Sequence, residues 1–371
     1  MPTKRIYLVD MMKILTIVGA RPQFVKAATI SRQVLNDPEV EEILVHTGQH
    51  FDANMSEIFF SEMEMPQPKY NLAINDLGHG AMTGRMLEGI EKIILEEKPD
   101  VVLVYGDTNS TIAGALAARK LHVKVGHVEA GLRSFNMAMP EEVNRILTDR
   151  ISDFLFCPTD SAVKNLKREG YDLLDSEVVR TGDVMYDAAL FYAQRSAELS
   201  TVINEIPLKE FALCTLHRAE NTDDPERLSA VVKSLNEIHK RLPIVCPLHP
   251  RTQKKLAEYG LKLDVHIIDP VGYFDMVELL KHCQLVLTDS GGLQKEAFFF
   301  KKPCITMRDQ TEWVELVENG FNVLASPNQE SMLAAFDTMT NKSIDYDMDL
   351  YGDGNAAAFI LKHLKRRIKD A

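Results

Sequence analysis

The sequence predicts an α/β fold of two doubly wound halves whose strand ends face each other across a cleft. Short, continuous apolar runs such as Ile14 to Gly19 and Asp100 to Tyr105 are typical of parallel strands buried on both faces. These runs alternate with segments of helical periodicity, as expected of βαβ units. The alternation stops near 206–208 and then restarts, and 371 residues suffice for two ordinary domains.

In the first half, each predicted strand ends at glycine or polar residues. The strands cover 14–19, 42–47, 100–105, 123–128, 154–157 and 177–180. Helical patterns cover 24–35, 53–62, 81–97 and 112–120, and residues 20–23 form a loop. A further helix begins at Glu141 behind Pro140, a residue that suits the first position of a helix. Residues 159–161 are typical of a helix cap.

The second half repeats the pattern after a helix over 187–204. Its predicted strands cover 211–216, 244–247, 265–268, 285–288 and 304–307, and its helices cover 225–241, 274–282, 293–300 and 355–369. We therefore expect an N-terminal domain over 1–187 and a C-terminal domain over 188–371.

Composition and charge exclude several classes of protein. A net charge of -12 argues against broad nucleic-acid binding, which needs a basic surface. No apolar run approaches the roughly 20 residues that span a bilayer, and the N-terminus lacks the features of a signal peptide. The five cysteines are scattered through apolar stretches without a CxxC pair, which predicts reduced thiols and neither disulfides nor a zinc site. We expect a soluble cytoplasmic protein.

Acidic and basic residues collect where two strands of the first half end. Glu129 follows the strand over 123–128, and the loop and helix behind it supply Arg133, Glu141, Glu142 and Arg145. Asp107 ends the preceding strand. Carboxyl ends of strands are where open α/β sheets handle ligands, so Asp107, Glu129 and Glu141 are candidate acid or base groups. The alternative for Glu142 is a solvated helix start.

The second half carries a candidate anion site. Ser290, Gly291 and Gly292 lie between a strand and a helix, where backbone N–H groups and the helix N-terminus favour an anion. Helix capping explains the same residues equally well. Glu296, on that helix, could accept hydrogen bonds from a ribose diol, the alternative being a surface glutamate. His217 and Arg218 end an earlier strand of this half.

Two cations follow the first strand. Arg21 is suited to bidentate contact with phosphate oxygens, and Lys26 lies in the following helix. Neither a GxGxxG motif nor a Walker A sequence is present, so no dinucleotide cofactor is expected. Acids in one half and anion-binding groups in the other suggest an enzyme that breaks a bond to a phosphate leaving group.

Eight motifs together resemble the non-hydrolysing UDP-N-acetylglucosamine 2-epimerases. They are GARPQFVKAA at 19–28, TGQH at 47–50, YGDTNSTIAGALAA at 105–118, HVEAGLRS at 127–134, PEEVNR at 140–145, GDVMYDA at 182–188, HRAENTD at 217–223 and DSGGLQKEA at 289–297. The resemblance implies a GT-B-type fold of two Rossmann-like domains, with the last helix, about 355–369, crossing back to the N-terminal domain. It also implies a homodimer and no cofactor, neither a metal nor a nicotinamide.

The implied reaction converts UDP-GlcNAc to UDP-ManNAc for surface polysaccharide synthesis. UDP is eliminated, a 2-acetamidoglucal forms, and UDP adds back after protonation of the opposite face of C2. By resemblance, Asp107, Glu129, Glu141 and His217 are catalytic. The residues expected to bind UDP are Arg21, Lys26, Arg145, Ser290, Gly291, Gly292 and Glu296. Further candidates for substrate contact are Arg133, Arg218, Arg308 and Thr311.

Some positions depart from the commoner family pattern. Ala219 stands where many members have Arg or Gln, and Trp313-Val314 stands where many have Arg-Pro. No arginine lies near 77–80, where some members use one to bind a second, activating UDP-GlcNAc. These changes resemble a subgroup that acts on UDP-2,3-diacetamido-2,3-dideoxy-glucuronate. They leave open the sugar and an allosteric site around Gln49 and His50.

Two other functions remain as alternatives. A GT-B glycosyltransferase that uses a UDP-sugar needs one general base, so three carboxylates exceed its requirement. A non-catalytic sugar-nucleotide sensor would retain Ser290 and Glu296 but would not need Asp107, Glu129 and Glu141. The epimerase therefore explains more of the sequence than either alternative.

Overall fold

The computed structural model of the chain describes residues 11–49 and 65–369, with the backbone alone at Arg21. The chain forms two compact units. Unit 1 comprises Met1–Ala188 and Leu350–Ala371, and unit 2 comprises Ala189–Asp349. Within the described ranges, every helix is too short or too polar to cross a bilayer.

Unit 1 alternates strands and helices. Its strands are β1 (Met12–Val18), β2 (Val40–His46), β3 (Tyr70–Asn71), β4 (Val101–Tyr105), β5 (Lys124–Val128), β6 (Phe154–Cys157) and β7 (Glu177–Arg180). Its helices are α1 (Arg21–Leu35), α2 (His79–Glu97), α3 (Asn109–Lys120), α4 (Pro140–Ile151), α5 (Asp160–Arg168) and the start of α6 (Val184–Leu199), with a 3₁₀ turn at Tyr171–Leu173. The last helix, α15 (Ala356–Lys369), also belongs to this unit.

The seven strands of unit 1 are all parallel, in the order β3-β2-β1-β4-β5-β6-β7. Alternate residues such as Leu15, Ile17, Val102 and Val104 pack under α2 and α3. Because right-handed crossovers leave β1 and β4 in opposite directions, α1 lies on the other face, where it contacts α15. Both faces are therefore covered, which explains the continuous apolar runs.

Helix α15 is held on unit 1 by three kinds of contact. The His363 ring meets Phe154 and Phe156 edge-on, with ring centroids 5.9 and 5.8 Å away. Lys365 forms an ion pair with Asp37 at 2.5 Å. At the start of the helix, the Asp187 carboxylate accepts hydrogen bonds from the backbone N–H groups of residues 356 and 357, at 3.1 and 2.8 Å.

Unit 2 repeats this architecture with six parallel strands in the order β10-β9-β8-β11-β12-β13. The strands are β8 (Ala212–Thr215), β9 (Ile244–Pro247), β10 (His266–Ile268), β11 (Leu285–Thr288), β12 (Cys304–Thr306) and β13 (Asn322–Leu324). The helices are the rest of α6, then α7 (Val202–Glu205), α8 (Ala219–Thr222), α9 (Pro225–His239), α10 (Pro250–Glu258), α11 (Tyr273–His282), α12 (Gly291–Phe299), α13 (Val314–Glu318) and α14 (Gln329–Thr340). Apolar cores lie on both faces.

The α/β class and the two-Rossmann architecture predicted from the sequence are confirmed, but several local predictions are wrong. Helix α1 begins at Arg21, so the predicted loop over 20–23 is too long. The reason is that the Gln23 carboxamide accepts the backbone N–H groups of Gly19 and Ala20, at 2.8 and 3.0 Å. The helix predicted over 187–204 breaks after Leu199, where the next residue, Ser200, donates a hydrogen bond to Asp275 at 2.6 Å.

Other elements were not predicted from the sequence. Strands β3 and β13 have two and three residues, too few to show a periodic pattern. Helices α10, α13 and α14 were also missed, although Asn328 caps α14 by accepting the N–H of Ser331 at 2.9 Å. The helix predicted over 53–62 lies outside the described residues.

Candidate functional site

A pocket of about 190 Å³ opens in unit 1 at the carboxyl ends of β1 and β4. The strand order reverses between these two strands, and such switch points are where doubly wound sheets bind ligands. Polar residues dominate the lining. It consists of Ala20, Pro22, Gln23, Lys26, Gln49, His79, Gly106, Asp107, Thr108, Asn109, Pro140, Glu141 and Asn144. The structure thus brings Asp107, Glu141 and Lys26 together.

Glu129 joins this group through Lys26. Its carboxylate is paired with the Lys26 ammonium, and both side chains are largely buried. The backbone of Glu129 has φ 74°, a left-handed conformation that is costly for a residue with a Cβ. The N–H groups of Glu129 and Ala130 both donate to the carbonyl oxygen of Phe156 at 3.1 Å, which holds this turn in place. Strain of this kind is often stored at functional sites.

Arg145 connects Asp107 to Glu142. Its guanidinium pairs with the Asp107 carboxylate and, at 2.8 Å, with Glu142. Glu142 is fully buried and accepts the backbone N–H groups of Ser134 and Phe135, at 2.9 and 2.8 Å. The interpretation of Glu142 as a solvated helix start is therefore wrong, because its carboxylate organises the loop before α4. Glu141 is the exposed member of the pair.

His127 lies beneath the pocket in a buried charged network. Its Nε2 atom is 2.7 Å from the carbonyl oxygen of Gly106, and its Nδ1 atom is 2.7 Å from Asp149. Asp149 also accepts a hydrogen bond from Arg133 at 2.7 Å. Burial acts to raise the pKa of the Asp149 carboxyl, but its neighbours His127 and Arg133 hold it below its usual value. Both ring nitrogens thus face hydrogen-bond acceptors.

Arg133, a candidate for substrate contact, makes internal contacts. It is only 3% exposed, and its guanidinium makes two further bonds to Glu169, at 2.7 and 2.8 Å. Sequence reasoning missed His127 and Asp149. A usable signal was the histidine inside an apolar strand, because a buried polar side chain requires a partner.

In unit 2, the residues after β8 and β11 meet at the corresponding switch point. Asp289 is fully buried and accepts the backbone N–H groups of His217 and Arg218, at 3.1 and 2.9 Å. Its carboxylate also lies 3.3 Å from Nδ1 of His217, whose side chain is 48% exposed. Asp289 therefore fixes the turn that presents His217 and Arg218.

Ser290 caps helix α12, and Gly291 and Gly292 form its first turn. The Ser290 hydroxyl oxygen accepts the N–H of Leu293 at 3.5 Å, so the capping interpretation holds without excluding anion binding. Glu296 is 7% exposed, so the alternative of a surface glutamate is wrong. Burial and the nearby Glu296 carboxylate raise the pKa of Tyr273 well above its usual value.

The loop before α13 carries the two remaining candidates. Arg308 is buried and donates from Nη1 to Glu312 at 3.0 Å. Burial acts to raise the pKa of Glu312, but the Arg308 guanidinium holds it below its usual value. Thr311 donates to the side-chain oxygen of Gln294 on α12 at 2.7 Å. No group of three or more His, Cys, Asp or Glu residues in 11–49 and 65–369 is arranged to hold a metal.

Two Rossmann-like units, each with polar residues at its switch point, define an α/β enzyme of the GT-B class. The chain belongs to the UDP-N-acetylglucosamine 2-epimerase family, whose model matches residues 32–365. It is therefore an epimerase, as the resemblance implied.

Individual relatives cover nearly the whole chain. The UDP-2,3-diacetamido-2,3-dideoxy-D-glucuronate 2-epimerase of Pseudomonas aeruginosa is 58% identical over 356 residues, covering 96% of this chain and 100% of the relative. A UDP-N-acetylglucosamine 2-epimerase of Methanococcus maripaludis is 45% identical, covering 95% and 98%. The crystal structure of the Methanocaldococcus jannaschii UDP-GlcNAc 2-epimerase in complex with UDP-GlcNAc and UDP is 43% identical, with a TM-score of 0.86, covering 96% and 100%.

Proposed function

We propose that this protein inverts C2 of a UDP-activated 2-acetamido sugar by eliminating UDP and adding it back. The main support for this proposal is the group of carboxylates at the unit 1 pocket. Asp107 and Glu141 line the pocket wall, and Glu129 pairs with Lys26, which also lines it. A C2 proton that is not adjacent to a carbonyl is hard to remove alone, so its loss is coupled to departure of UDP from C1.

The reaction has two balanced steps. In the first, a carboxylate takes the C2 proton while the C1–O bond to UDP breaks, which leaves a 2-acetamidoglucal. In the second, UDP oxygen adds to C1 while a protonated carboxyl delivers a proton to the opposite face of C2. We assign this proton transfer to Asp107, Glu129 and Glu141. Arg145 and Lys26, which pair with the first two, orient them and keep the site electrically balanced.

Unit 2 supplies the residues assigned to UDP. The N-terminus of α12, at Ser290, Gly291 and Gly292, suits the diphosphate, and Glu296 suits the ribose diol. His217, oriented by Asp289, is assigned to the departing diphosphate. Arg21 and Lys26 remain further candidates for phosphate contact, and Arg218, Arg308 and Thr311 for contact to the substrate.

For the sugar, we favour UDP-2,3-diacetamido-2,3-dideoxy-glucuronate. The support is the 58% identity to the P. aeruginosa enzyme that is named for this compound, together with Trp313, Val314 and Ala219. The second candidate is UDP-GlcNAc, converted to UDP-ManNAc, which is the substrate in the names of relatives 45% and 44% identical. Either product would serve surface polysaccharide synthesis.

Parallel turnover assays distinguish the two sugars. Each UDP-sugar is incubated with the purified protein at equal concentration, and the C2 epimer is followed by proton NMR. We expect kcat/KM for the diacetamido-uronate to exceed that for UDP-GlcNAc by about 10²-fold or more. Equal or faster turnover of UDP-GlcNAc would make it the substrate, and turnover of neither would contradict the proposed function.

Family resemblance also supports a homodimer, which sedimentation equilibrium would test. The five cysteines are free and buried, which supports a location in the reducing cytoplasm.

A further inference from the structure

One carboxylate of unit 2 lies against the turn assigned to the diphosphate. Oε1 of Glu312 is so close to Gly291, at the start of α12, that a Cβ on this glycine would overlap it. Oε2 of Glu312 accepts the 3.0 Å hydrogen bond from Arg308. The same Cβ position lies 3.6 Å from Nη2 of Arg218. A helix N-terminus and two guanidinium groups thus converge on one internal anion.

These groups are also what a diphosphate requires. Helix N-termini present free N–H groups and a positive dipole end, and arginine binds phosphate oxygens through several donors. Arg308 retains unused capacity, because its Nε atom is buried without a hydrogen-bond partner among the described residues. The side chain is 3% exposed, so water is a poor substitute for a ligand there. Arg308 therefore has a spare donor, Nε, that the Glu312 carboxylate leaves unbonded.

Two anions cannot occupy the site formed by the N-terminus of α12, Arg218 and Arg308 without strong repulsion. We propose that Glu312 is a placeholder anion, which holds the site when it is empty and is displaced from Gly291 when the UDP diphosphate binds. This inference rests on the proposed binding of UDP at Ser290–Gly291. The carboxylate keeps Arg308 and Arg218 compensated in the empty site, and its displacement lowers the net affinity for UDP.

The surrounding loop confines the movement to one side chain. On one side of Glu312, Thr311 is bonded to Gln294 of α12 at 2.7 Å. On the other side, the Trp313 ring lies under the Lys295 ammonium, with 4.0 Å between Nζ and the ring centroid. Because both neighbours are anchored to α12, the backbone stays in place while the Glu312 side chain rotates.

Calorimetric titration with UDP tests the proposal. Glu312→Gln keeps the shape of the side chain and its bond to Arg308 but removes the competing charge. We expect the Kd for UDP to fall by about tenfold in this variant, while the Kd for uridine, which lacks phosphates, stays unchanged. Glu318→Gln, an exposed position at the end of α13, removes the same charge elsewhere and should leave both constants unchanged.

A second variant, Glu312→Ala, removes the carboxylate altogether and should also tighten UDP binding. Unchanged or weaker binding of UDP by both variants would overturn the placeholder role and make Glu312 a support for Arg308. If the unaltered protein bound UDP no better than uridine, the proposed diphosphate site itself would fail. The two failures are therefore distinguishable.

Discussion

At the scale of single residues, the three candidate carboxylates have different surroundings. Asp107 is paired with Arg145 and Glu129 with Lys26, whereas Glu141 is exposed at the pocket wall and forms no ion pair among the described residues. Paired carboxylates are held in place as proton acceptors. An exposed carboxyl exchanges its proton freely with water, so the three groups are suited to different stages of one proton transfer.

Amide substitution tests these three groups. Asp107→Asn, Glu129→Gln and Glu141→Gln retain the shape of each side chain but cannot accept the proton, so each should lower kcat by about 10²-fold or more. Steady-state assays on the better UDP-sugar measure the effect. Glu88→Gln serves as control, since Glu88 is an exposed carboxylate of α2 that pairs with Lys92 at 2.7 Å. A carboxylate whose amide retains the unaltered rate has no part in proton transfer.

His127 provides a second prediction at this scale. His127→Gln removes one buried hydrogen-bond partner of the Asp149 carboxylate, which should cost about 1–3 kcal/mol in the free energy of unfolding. The double variant His127→Gln with Asp149→Asn should lose less than the sum of the single variants. Chemical denaturation measures both effects.

The control for this pair is His363→Gln. His363 also meets a carboxylate, Glu177 at 3.1 Å, but that pair is partly exposed and should contribute about 1 kcal/mol or less. Additive effects of the His127 and Asp149 substitutions would show that the two side chains are not coupled.

At the scale of elements, the turns after the strands decide where side chains point. Glu129 leaves β5 in a left-handed conformation, and the turn continues into Gly131, where a Cβ would lie 2.6 Å from the carbonyl oxygen of Ala162. The chain thereby turns sharply from the sheet toward α4. The start of helix α15 also depends on one side chain, because the Asp187 carboxylate accepts backbone N–H groups of its first turn.

Asp187 makes stability depend on pH. Burial raises its pKa from 3.8 to about 6, despite the two backbone N–H donors at the start of α15. The folded state therefore binds this proton more tightly than the unfolded state. The stabilisation is complete below the unfolded pKa and is lost as pH rises through about 6, a loss on the order of 3 kcal/mol.

Asp187→Asn should remove this loss. The melting temperature of the unaltered protein, relative to that of the variant, should fall between about pH 4 and pH 6 and remain constant above. Scanning calorimetry across this range measures the difference. Asp172→Asn, at an exposed position, should follow the unaltered protein. Parallel curves for Asp187→Asn and the unaltered protein would contradict the raised pKa.

At the scale of the whole molecule, the two units share one kind of strand order but carry different candidate functional groups. Both sheets reverse their strand order, between β1 and β4 in unit 1 and between β8 and β11 in unit 2. Acid and base candidates follow the first pair, and anion-binding candidates follow the second. The proposed reaction needs both sets, because proton removal at C2 and departure of UDP from C1 occur together.

Solvent isotope incorporation tests the complete reaction. In D2O, the carboxyl that delivers the proton to C2 has equilibrated with solvent, so each product molecule should carry deuterium at C2. Mass spectrometry and loss of the C2 proton signal in NMR report this. Incubation without protein gives the background exchange. Product that retains protium at C2 would exclude elimination and re-addition.

Much of this architecture follows from the sequence alone. Apolar runs placed most strands to within a residue or two, because burial on both faces leaves a continuous pattern that needs no partner to recognise. Asp107 and Glu129 were placed at strand ends for the same reason. Elements of two to five residues, such as β3, β13 and α13, were missed because they are too short for periodicity.

Only the tertiary structure decided which charged side chains contact each other. Glu141 and Glu142 are neighbours in one helical turn, yet one is exposed and the other is fully buried against Arg145. His127 meets Asp149, and Glu312 lies against Gly291, across 22 and 21 positions of the chain. The physical reason is that periodicity records the burial of each residue, whereas an ion pair depends on the distance between two elements, which is set by the packing of the whole unit.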